Sequence, residues 1–221
     1  MNTVITVSMR YSKRWAKCLV VGVAILALSV TLAKAASQAV PCFRIQVVDD
    51  QTGRGVPLVI LKTVNRLSYV TDSNGIVAFN EPGLMDQTVF FHISSHGYEY
   101  PADGFGYRGK AIDIKPGGRA VIKIKRLNIA ERLYRITGQG IYRDSLLTGD
   151  AVSLANPVLN GQVFGQDSVC VCRYNDKLYW FWGDTERPSY PLGHFSTAGA
   201  TSLLPAQGSL DPSAGVDLTY F

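Results

Sequence analysis

Short runs of β-branched and aromatic residues, separated by turn-forming residues, constrain the fold of this chain more than any other feature. Valine, isoleucine, phenylalanine and tyrosine recur in runs of a few residues, and glycine, asparagine, aspartate and proline lie between the runs. Such runs are typical of β-strands, because branched and aromatic side chains pack well on a pleated surface. No amphipathic helix stands out. The sequence therefore predicts an all-β protein.

The first half of the chain predicts a compact set of strands. The segment Asp-Ser-Asn-Gly at 72–75 predicts a β-hairpin, because Asn-Gly supplies the positive φ angles of a tight turn. In the last strand, Ile122 and Ile124 face one side of the sheet. Val121 and Lys123 face the other side, which indicates a sheet with one face in water. The expected strands are 43–48, 58–64, 67–71, 76–79, 88–94, 111–114 and 120–125.

Four segments of this half carry turn motifs in a fixed order: VVDDQTGRGVPLVIL, TDSNGIVAF, HGYE and VIKIKRL. They contain a D-x-x-T-G-x-x-V-P opening turn, a T-D-x-x-G turn, and a Gly-Tyr pair before the final strands. Over residues 42–127 this order resembles the carboxypeptidase regulatory-like domain. The resemblance implies a transthyretin-like or Ig-like β-sandwich that serves as a non-catalytic scaffold or as an accessory module contacting glycans or proteins.

Residues 128–140 predict a linker, which is charged at first and then rich in glycine. The sequence pattern differs after it. Within 141–221, the runs 169–173 and 178–182 flank a turn at 174–177 and predict a hairpin with an aromatic second strand. The order GQDS, then VCVCRYNDKLYWFWGDT, resembles the opening blade of five-bladed β-propellers related to glycoside hydrolases, whose aromatic strand ends in F-x-G-D-T. The resemblance covers about 40 residues and implies an incomplete propeller, since one blade cannot bury its own faces. We therefore expect the chain to be a fragment of a longer protein.

Asp167 and Asp184 are the candidate catalytic residues. Propeller hydrolases place acids at strand ends around a central pocket, and glycoside cleavage needs a pair of carboxylates. Asp167 precedes the first strand of the predicted hairpin and Asp184 follows the second, so the hairpin brings both to one end. The alternative is that both carboxylates cap turns by accepting hydrogen bonds from backbone N–H groups.

Four consecutive aromatic residues, Tyr179, Trp180, Phe181 and Trp182, alternate across the second strand of this hairpin. One alternate pair is expected in the core, and the other is available to stack on sugar rings. The competing interpretation is that both pairs pack between propeller blades.

The histidines and cysteines predict neither a metal site nor a cofactor. His92 and His96 are four residues apart, but in a β-strand this spacing separates them by roughly 13 Å. His194 is an isolated loop histidine. Cys170 and Cys172 point to one face of a strand, with Cys42 as a third cysteine, and no disulfide framework can be derived from an odd number. We expect buried small apolar side chains at Cys170 and Cys172.

The N-terminal segment 1–35 predicts a secretory signal peptide. Four basic residues precede an apolar run of 15 residues, Leu19–Ala33, which ends in Ala33-Lys34-Ala35. Small side chains at these positions suit signal peptidase, and the run is shorter than the ~20 residues that span a bilayer. We expect a secreted, periplasmic or cell-surface protein with no stable membrane insertion after cleavage. An uncleaved N-terminal anchor is the alternative.

The basic net charge belongs to this leader. Five of the 22 Lys and Arg residues lie within 1–35 without any acid, so the remaining 17 match the 17 acidic residues of the chain. Nucleic-acid binding requires a concentrated basic surface, and we expect no nucleic-acid partner. Two functions fit these features: an exported binding and structural protein that contacts a glycan or a cell-envelope protein, or a propeller-type hydrolase with Asp167 or Asp184 as base or nucleophile.

Overall fold

The computed structural model describes residues 41–189 and 196–221, and they form an all-β structure with one short α-helix. The predicted leader and His194 lie outside these residues. No helix in the described ranges is long and apolar enough to cross a membrane. The elements are β1 Phe43–Asp49, β2 Ile60–Thr63, β3 Ser68–Val70, β4 Ile76–Phe79, β5 Thr88–Ser94, β6 Tyr98–Glu99, β7 Gly109–Asp113, β8 Arg119–Arg126, α1 Arg143–Leu147, β9 Gly165–Gln166, β10 Val169–Tyr174, β11 Lys177–Trp182, β12 Thr185–Glu186, β13 Ala198–Ser202 and β14 Thr219–Tyr220.

The strands form three four-stranded sheets and one two-stranded ladder, and none closes into a barrel. The first sheet has the order β4-β1-β8-β6, with β1 and β8 parallel. The second sheet, β3-β2-β5-β7, is antiparallel throughout. The third sheet, β10-β11-β13-β14, is also antiparallel, and β9 pairs with β12 beside it.

The first two sheets bury one common core. Ile45 of β1 and Ile122 of β8 come from the first sheet, and Leu61 of β2 and Phe91 of β5 come from the second. Each of these side chains is almost completely buried. Along β8 the two isoleucines are buried and Val121 is half-exposed, which confirms the prediction of one dry and one wet face.

The predicted hairpin at 72–75 is wrong, because the strands on its two sides belong to different sheets. β3 pairs with β2 in the second sheet, and β4 pairs with β1 in the first. The Thr71 hydroxyl donates to the Val56 carbonyl at 2.7 Å and accepts the Val59 N–H. These bonds hold the residue just before the turn against the segment that leads into β2 of the second sheet. The turn itself forms, with Gly75 at φ 71°, but it carries the chain across to the other sheet.

The opening turn and the 72–75 turn lie against each other. The Val47 N–H donates to the Gly75 carbonyl at 2.8 Å, and the Val56 N–H donates to the Val47 carbonyl at 2.9 Å. A Cβ at Gly55 would overlap the Asn74 carbonyl group, so only glycine fits there. The two sequence motifs are therefore parts of one packed unit.

The segment predicted as a linker lies against the first two sheets. The Arg132 guanidinium donates to the carbonyls of Pro57 and His96, each at 2.8 Å. Glu131 accepts hydrogen bonds from Thr52 and Arg54, each at 3.0 Å. These bonds hold residues 131 and 132 on the surface of the sheets, and the chain continues from there to α1.

Candidate functional site

In the third sheet, β11 has one buried and one more exposed face, and its aromatic residues alternate between them. Trp180 and Trp182 face inward, and their exposed fractions are 8% and 7%. Their rings stack at 6.0 Å with an angle of 8° between planes. The Trp180 Nε1–H donates to the Ser202 Oγ at 2.9 Å, which satisfies its only polar group. The two tryptophans therefore belong to the core.

The opposite side of this sheet carries a cluster of exposed and partly exposed aromatic side chains, here called the outer aromatic face. The ring centroids of Tyr174 and Tyr179 are 6.0 Å apart, those of Tyr179 and Phe221 are 6.4 Å apart, and those of Phe181 and Phe221 are 6.2 Å apart. Phe181 is 46% exposed and Phe221 is 70% exposed. The face is thus a contiguous group of four rings, of which Tyr174, Phe181 and Phe221 are exposed and Tyr179 is partly exposed.

Gly199 makes room for this arrangement. It lies opposite Phe181 in the register of β11 and β13, and the Phe221 N–H donates to its carbonyl at 3.0 Å. A Cβ at Gly199 would lie 2.6 Å from the Phe221 ring. The absence of a side chain at this position lets the Phe221 ring lie across the sheet beside Phe181.

The sequence predicts Tyr179 and Phe181 as candidates for sugar stacking, but it does not predict Tyr174 and Phe221 in this cluster. The prediction of a turn at Tyr174 is wrong, because Tyr174 is the last residue of β10. In the last four residues, Leu218 and Tyr220 alternate with Thr219 and Phe221, so Phe221 is predicted to lie on the opposite face of a strand from Tyr220. This predicts a position on the outer aromatic face only if β14 is known to pair with β13, which no local pattern shows.

Asp167 and Asp184 lie side by side in the backbone, as the hairpin predicted. The Asp167 N–H donates to the Asp184 carbonyl at 3.2 Å, and the Gly183 N–H donates to the Asp167 carbonyl at 3.0 Å. A Cβ at Gly183 would lie 2.6 Å from the Asp167 Oδ1, so glycine permits the carboxylate to lie there. Neither carboxylate accepts a hydrogen bond from the described part of the chain.

The expectation that Cys170 and Cys172 are buried is wrong. Both lie on β10, all of whose residues are exposed, and both are free thiols. The reason is topological, because β10 is the terminal strand of its sheet and nothing in the described ranges covers either of its faces. Cys42 is a free thiol of intermediate exposure.

His92 and His96 do not form a common site. His92 lies within β5, between the rings of Phe90 and Tyr107, and His96 is exposed beyond the end of that strand. Within the described ranges, no group of three or more His, Cys, Asp or Glu residues is placed to hold a metal ion.

Two cavities lie between the first two sheets and the segments that follow them. One, of about 470 Å³, is lined by the ion pair of Arg44 and Asp150, whose Nε and Oδ2 are 3.2 Å apart. Burial opposes ionisation of Asp150, but hydrogen bonds from Thr148 and Arg44 lower its pKa below the ordinary value. The charges of Arg44 and Asp150 thus compensate each other.

The second cavity, of about 280 Å³, is lined by Arg135, Arg143, Asp144 and Tyr69 among others. Arg143 is paired with Asp144 at 2.9 Å. Burial lowers the pKa of Arg135, and the charge of Asp72 partly restores it. Neither cavity is lined by the predicted carboxylates or by the outer aromatic face.

No known family model matches the chain, and a search of curated proteins finds no match. The geometry of the third sheet is therefore the basis for the functional argument.

Proposed function

We propose that this chain is an exported binding protein of the cell envelope and that the outer aromatic face recognises glycans. The single observation that supports this is a contiguous cluster of four aromatic rings on one side of the third sheet, three of them exposed and Tyr179 partly exposed, while the tryptophans occupy the other side. The nonpolar C–H faces of sugar rings pack on aromatic rings, and tyrosine adds a hydroxyl for hydrogen bonding.

The balance of charges supports the same function. The chain beyond residue 35 has equal numbers of basic and acidic residues, so its surface has no overall electrostatic preference for a highly charged polymer. A neutral glycan is bound mainly by ring packing and hydrogen bonds, and these are the interactions that Tyr174, Tyr179, Phe181 and Phe221 provide.

We also propose that residues 42–127 form a transthyretin-like sandwich that acts as an accessory module, and that the third sheet is the first blade of a propeller. Support for the sandwich comes from the two four-stranded sheets that share one core. Support for the blade comes from the antiparallel four-stranded sheet β10-β11-β13-β14, which has the strand number of one blade.

A glycan-binding assay with matched variants tests this function. We expect affinity electrophoresis of the purified protein against a panel of soluble polysaccharides to show retardation by at least one of them. Phe181→Ala and Phe221→Ala each reduce the affinity by about tenfold, which corresponds to about 1.4 kcal/mol. Phe105→Ala is the control, because Phe105 is 91% exposed and lies outside the outer aromatic face. Unchanged retardation in the two face variants contradicts the proposal.

A second candidate, glycan hydrolysis, is favoured by the position of Asp167 and Asp184. Their backbones are hydrogen-bonded to each other, and their carboxylates are not engaged by the described residues. If either is the base or nucleophile, Asp167→Asn or Asp184→Asn lowers cleavage of the bound polysaccharide at least about a hundredfold without loss of folding. Asp176→Asn is the control, since Asp176 is an exposed turn residue. Equal rates in all variants remove both residues from any mechanism.

A further inference from the structure

Strand β10 is an uncovered edge. Among the described strands it pairs only with β11, and all six of its residues, VCVCRY, are exposed. A strand at the edge of a sheet presents unpaired N–H and C=O groups, and proteins usually protect such an edge with charges, proline or a covering segment. In β10 four successive residues from Val169 to Cys172 are apolar or weakly polar, so the edge is open to another strand.

The turn after β10 determines which backbone groups are unpaired. Asn175 and Asp176 have φ angles of 43° and 55°, as in the two-residue turn that closes a hairpin. The flanking pair, Tyr174 and Lys177, is then hydrogen-bonded, and hydrogen-bonded pairs alternate along an antiparallel ladder. The N–H and C=O groups of Val169, Val171 and Arg173 therefore point away from β11, toward the open edge.

The charges at the two ends of β10 are complementary to each other. Asp167 lies just before the strand, and Arg173 lies near its end. Arg173 is paired with Asp176 at 3.2 Å, but both side chains are largely exposed, so this pair contributes little. Antiparallel pairing of two copies of β10 brings each Arg173 toward the Asp167 of the other copy. This complementarity favours a second copy of the chain as the occupant of the edge.

We propose that two copies pair antiparallel through β10 and that Cys170 of each copy forms a disulfide with Cys172 of the other. With Val171 opposite Val171 of the second copy, the outward N–H and C=O groups form the new hydrogen bonds. Cys170 then faces Cys172 in a non-hydrogen-bonded pair, where Cα atoms are about 4.5 Å apart. Disulfides span Cα separations of about 4.4–6.8 Å.

Each disulfide forms by exchange with an oxidised small-molecule disulfide. The Cys170 thiolate attacks one sulfur of that reagent, forms a mixed disulfide and releases one small thiol. Cys172 of the second copy then attacks the Cys170 sulfur and releases the second small thiol. Two protein thiols lose two electrons and two protons, and the reagent disulfide is reduced to two thiols.

The pairing is independent of the proposed glycan function. The symmetry axis runs perpendicular to the sheet, so the outer aromatic faces of both copies lie on the same side of a continuous sheet. Glycan binding can fail while the dimer forms, and the dimer can fail while a monomer binds glycan. The two proposals are thus tested separately.

Disulfide mapping after oxidation tests the proposal. The protein, purified in reductant, is transferred to a buffer containing oxidised glutathione and analysed by non-reducing electrophoresis and mass spectrometry. Cys170 and Cys172 occur in the same tryptic peptide, which ends at Arg173. We expect a reducible dimer of this peptide. A single peptide lighter by two hydrogens, bridged within itself, a linkage through Cys42, or a monomeric protein overturns the proposal.

Cysteine variants test the register. Cys170→Ser alone and Cys172→Ser alone place serine opposite cysteine, so each forms at most a tenth of the wild-type covalent dimer. An equal mixture of the two variants regains a covalent dimer with one bridge, and the control Cys42→Ser dimerises as the wild type does. Efficient cross-linking of either single variant contradicts the register.

A proline variant tests the strand pairing itself. Val171→Pro removes an N–H group that points away from β11, so the hairpin keeps its own hydrogen bonds. We expect the rate of covalent dimer formation to fall at least tenfold, whereas Val171→Thr changes it less than threefold. Equal rates in both variants contradict pairing through β10. Hydrogen exchange that shows protected β10 amides in a monomeric protein would assign the edge to a segment of the same chain instead.

Discussion

The Asp72 carboxylate accepts two hydrogen bonds from Ser145, one from its backbone N–H and one from its hydroxyl, each 2.7 Å long. The two residues are 73 positions apart in sequence, and both are buried. The other oxygen of the carboxylate accepts the N–H groups of Asn74 and Ile76, each at 3.0 Å. One carboxylate therefore joins the 72–75 turn to α1, a helix too short to be stable on its own.

Removal of the Ser145 hydroxyl is expected to weaken this junction. In Ser145→Ala the buried carboxylate loses one donor, and the Asn74 side-chain amide, which donates to the Ser145 Oγ at 3.0 Å, loses its acceptor. We expect the free energy of unfolding to fall by about 1–3 kcal/mol, measured by urea denaturation. Ser213→Ala is the control, because its hydroxyl bonds an exposed Asp211. Equal effects of the two substitutions would show that burial of the pair has no energetic importance.

The stability of the protein should depend on the ionisation of Asp72. Burial raises the pKa of Asp72 above its ordinary value, and the hydrogen bonds from Ser145, Ile76 and Asn74 only partly oppose this. The folded state then binds the proton more tightly than the unfolded chain, so the contribution of Asp72 to stability falls as pH rises through the folded pKa. We expect wild type to gain stability relative to Asp72→Asn as the pH is lowered from about 7 to about 4.

Urea denaturation of both proteins across this pH range measures the difference. Asp211→Asn provides a control of opposite sign, because hydrogen bonds from Ser213 lower the pKa of Asp211. Wild type should lose stability relative to that variant as the pH falls below about 4, because the unfolded chain then binds the proton before the folded state does. A difference between wild type and Asp72→Asn that stays constant with pH would contradict the assignment.

Adjacent aromatic residues of β11 should differ sharply in their contribution to stability. Trp182 packs against Trp180 and Tyr220 in the core, and Phe181 lies on the outer aromatic face. We expect Trp182→Ala to reduce the free energy of unfolding by about 3–5 kcal/mol and Phe181→Ala by less than about 1 kcal/mol. Guanidinium denaturation followed by far-UV circular dichroism checks both. Similar losses would mean that the outer face is also a packed interface.

Gly55 should tolerate no side chain. A Cβ there would overlap the backbone carbonyl group of Asn74 and separate the two turns. We expect Gly55→Ala to destabilise the protein by at least about 3 kcal/mol, read from the thermal midpoint and the denaturation curve. Gly83→Ala, where no atom lies within 4 Å of the added carbon, should change stability by no more than about 0.5 kcal/mol. A small effect at Gly55 would contradict the close packing of the turns.

Local patterns predicted some elements well because their causes are local. The β10–β11 hairpin follows from two aromatic and β-branched runs around Asn175 and Asp176, and its register agrees with the predicted turn. The predicted hairpin at 72–75 is wrong, because turn residues specify a bend but not which strands meet beyond it. The predicted burial of Cys170 and Cys172 is wrong for a related reason. Small apolar side chains are buried only when a neighbouring strand or layer covers them, and β10 has none in the described ranges.

The sequence by itself determined the all-β character, the alternation that separates the tryptophans from Phe181, and the adjacency of Asp167 and Asp184. Each of these depends on residues within one hairpin or one strand, where spacing and turn chemistry are sufficient. Only the tertiary structure decided which aromatic face is exposed and that Phe221 joins it. It also decided that Asp72 meets Ser145. These contacts join residues far apart in the chain, and their formation depends on how whole sheets pack, which no local pattern encodes.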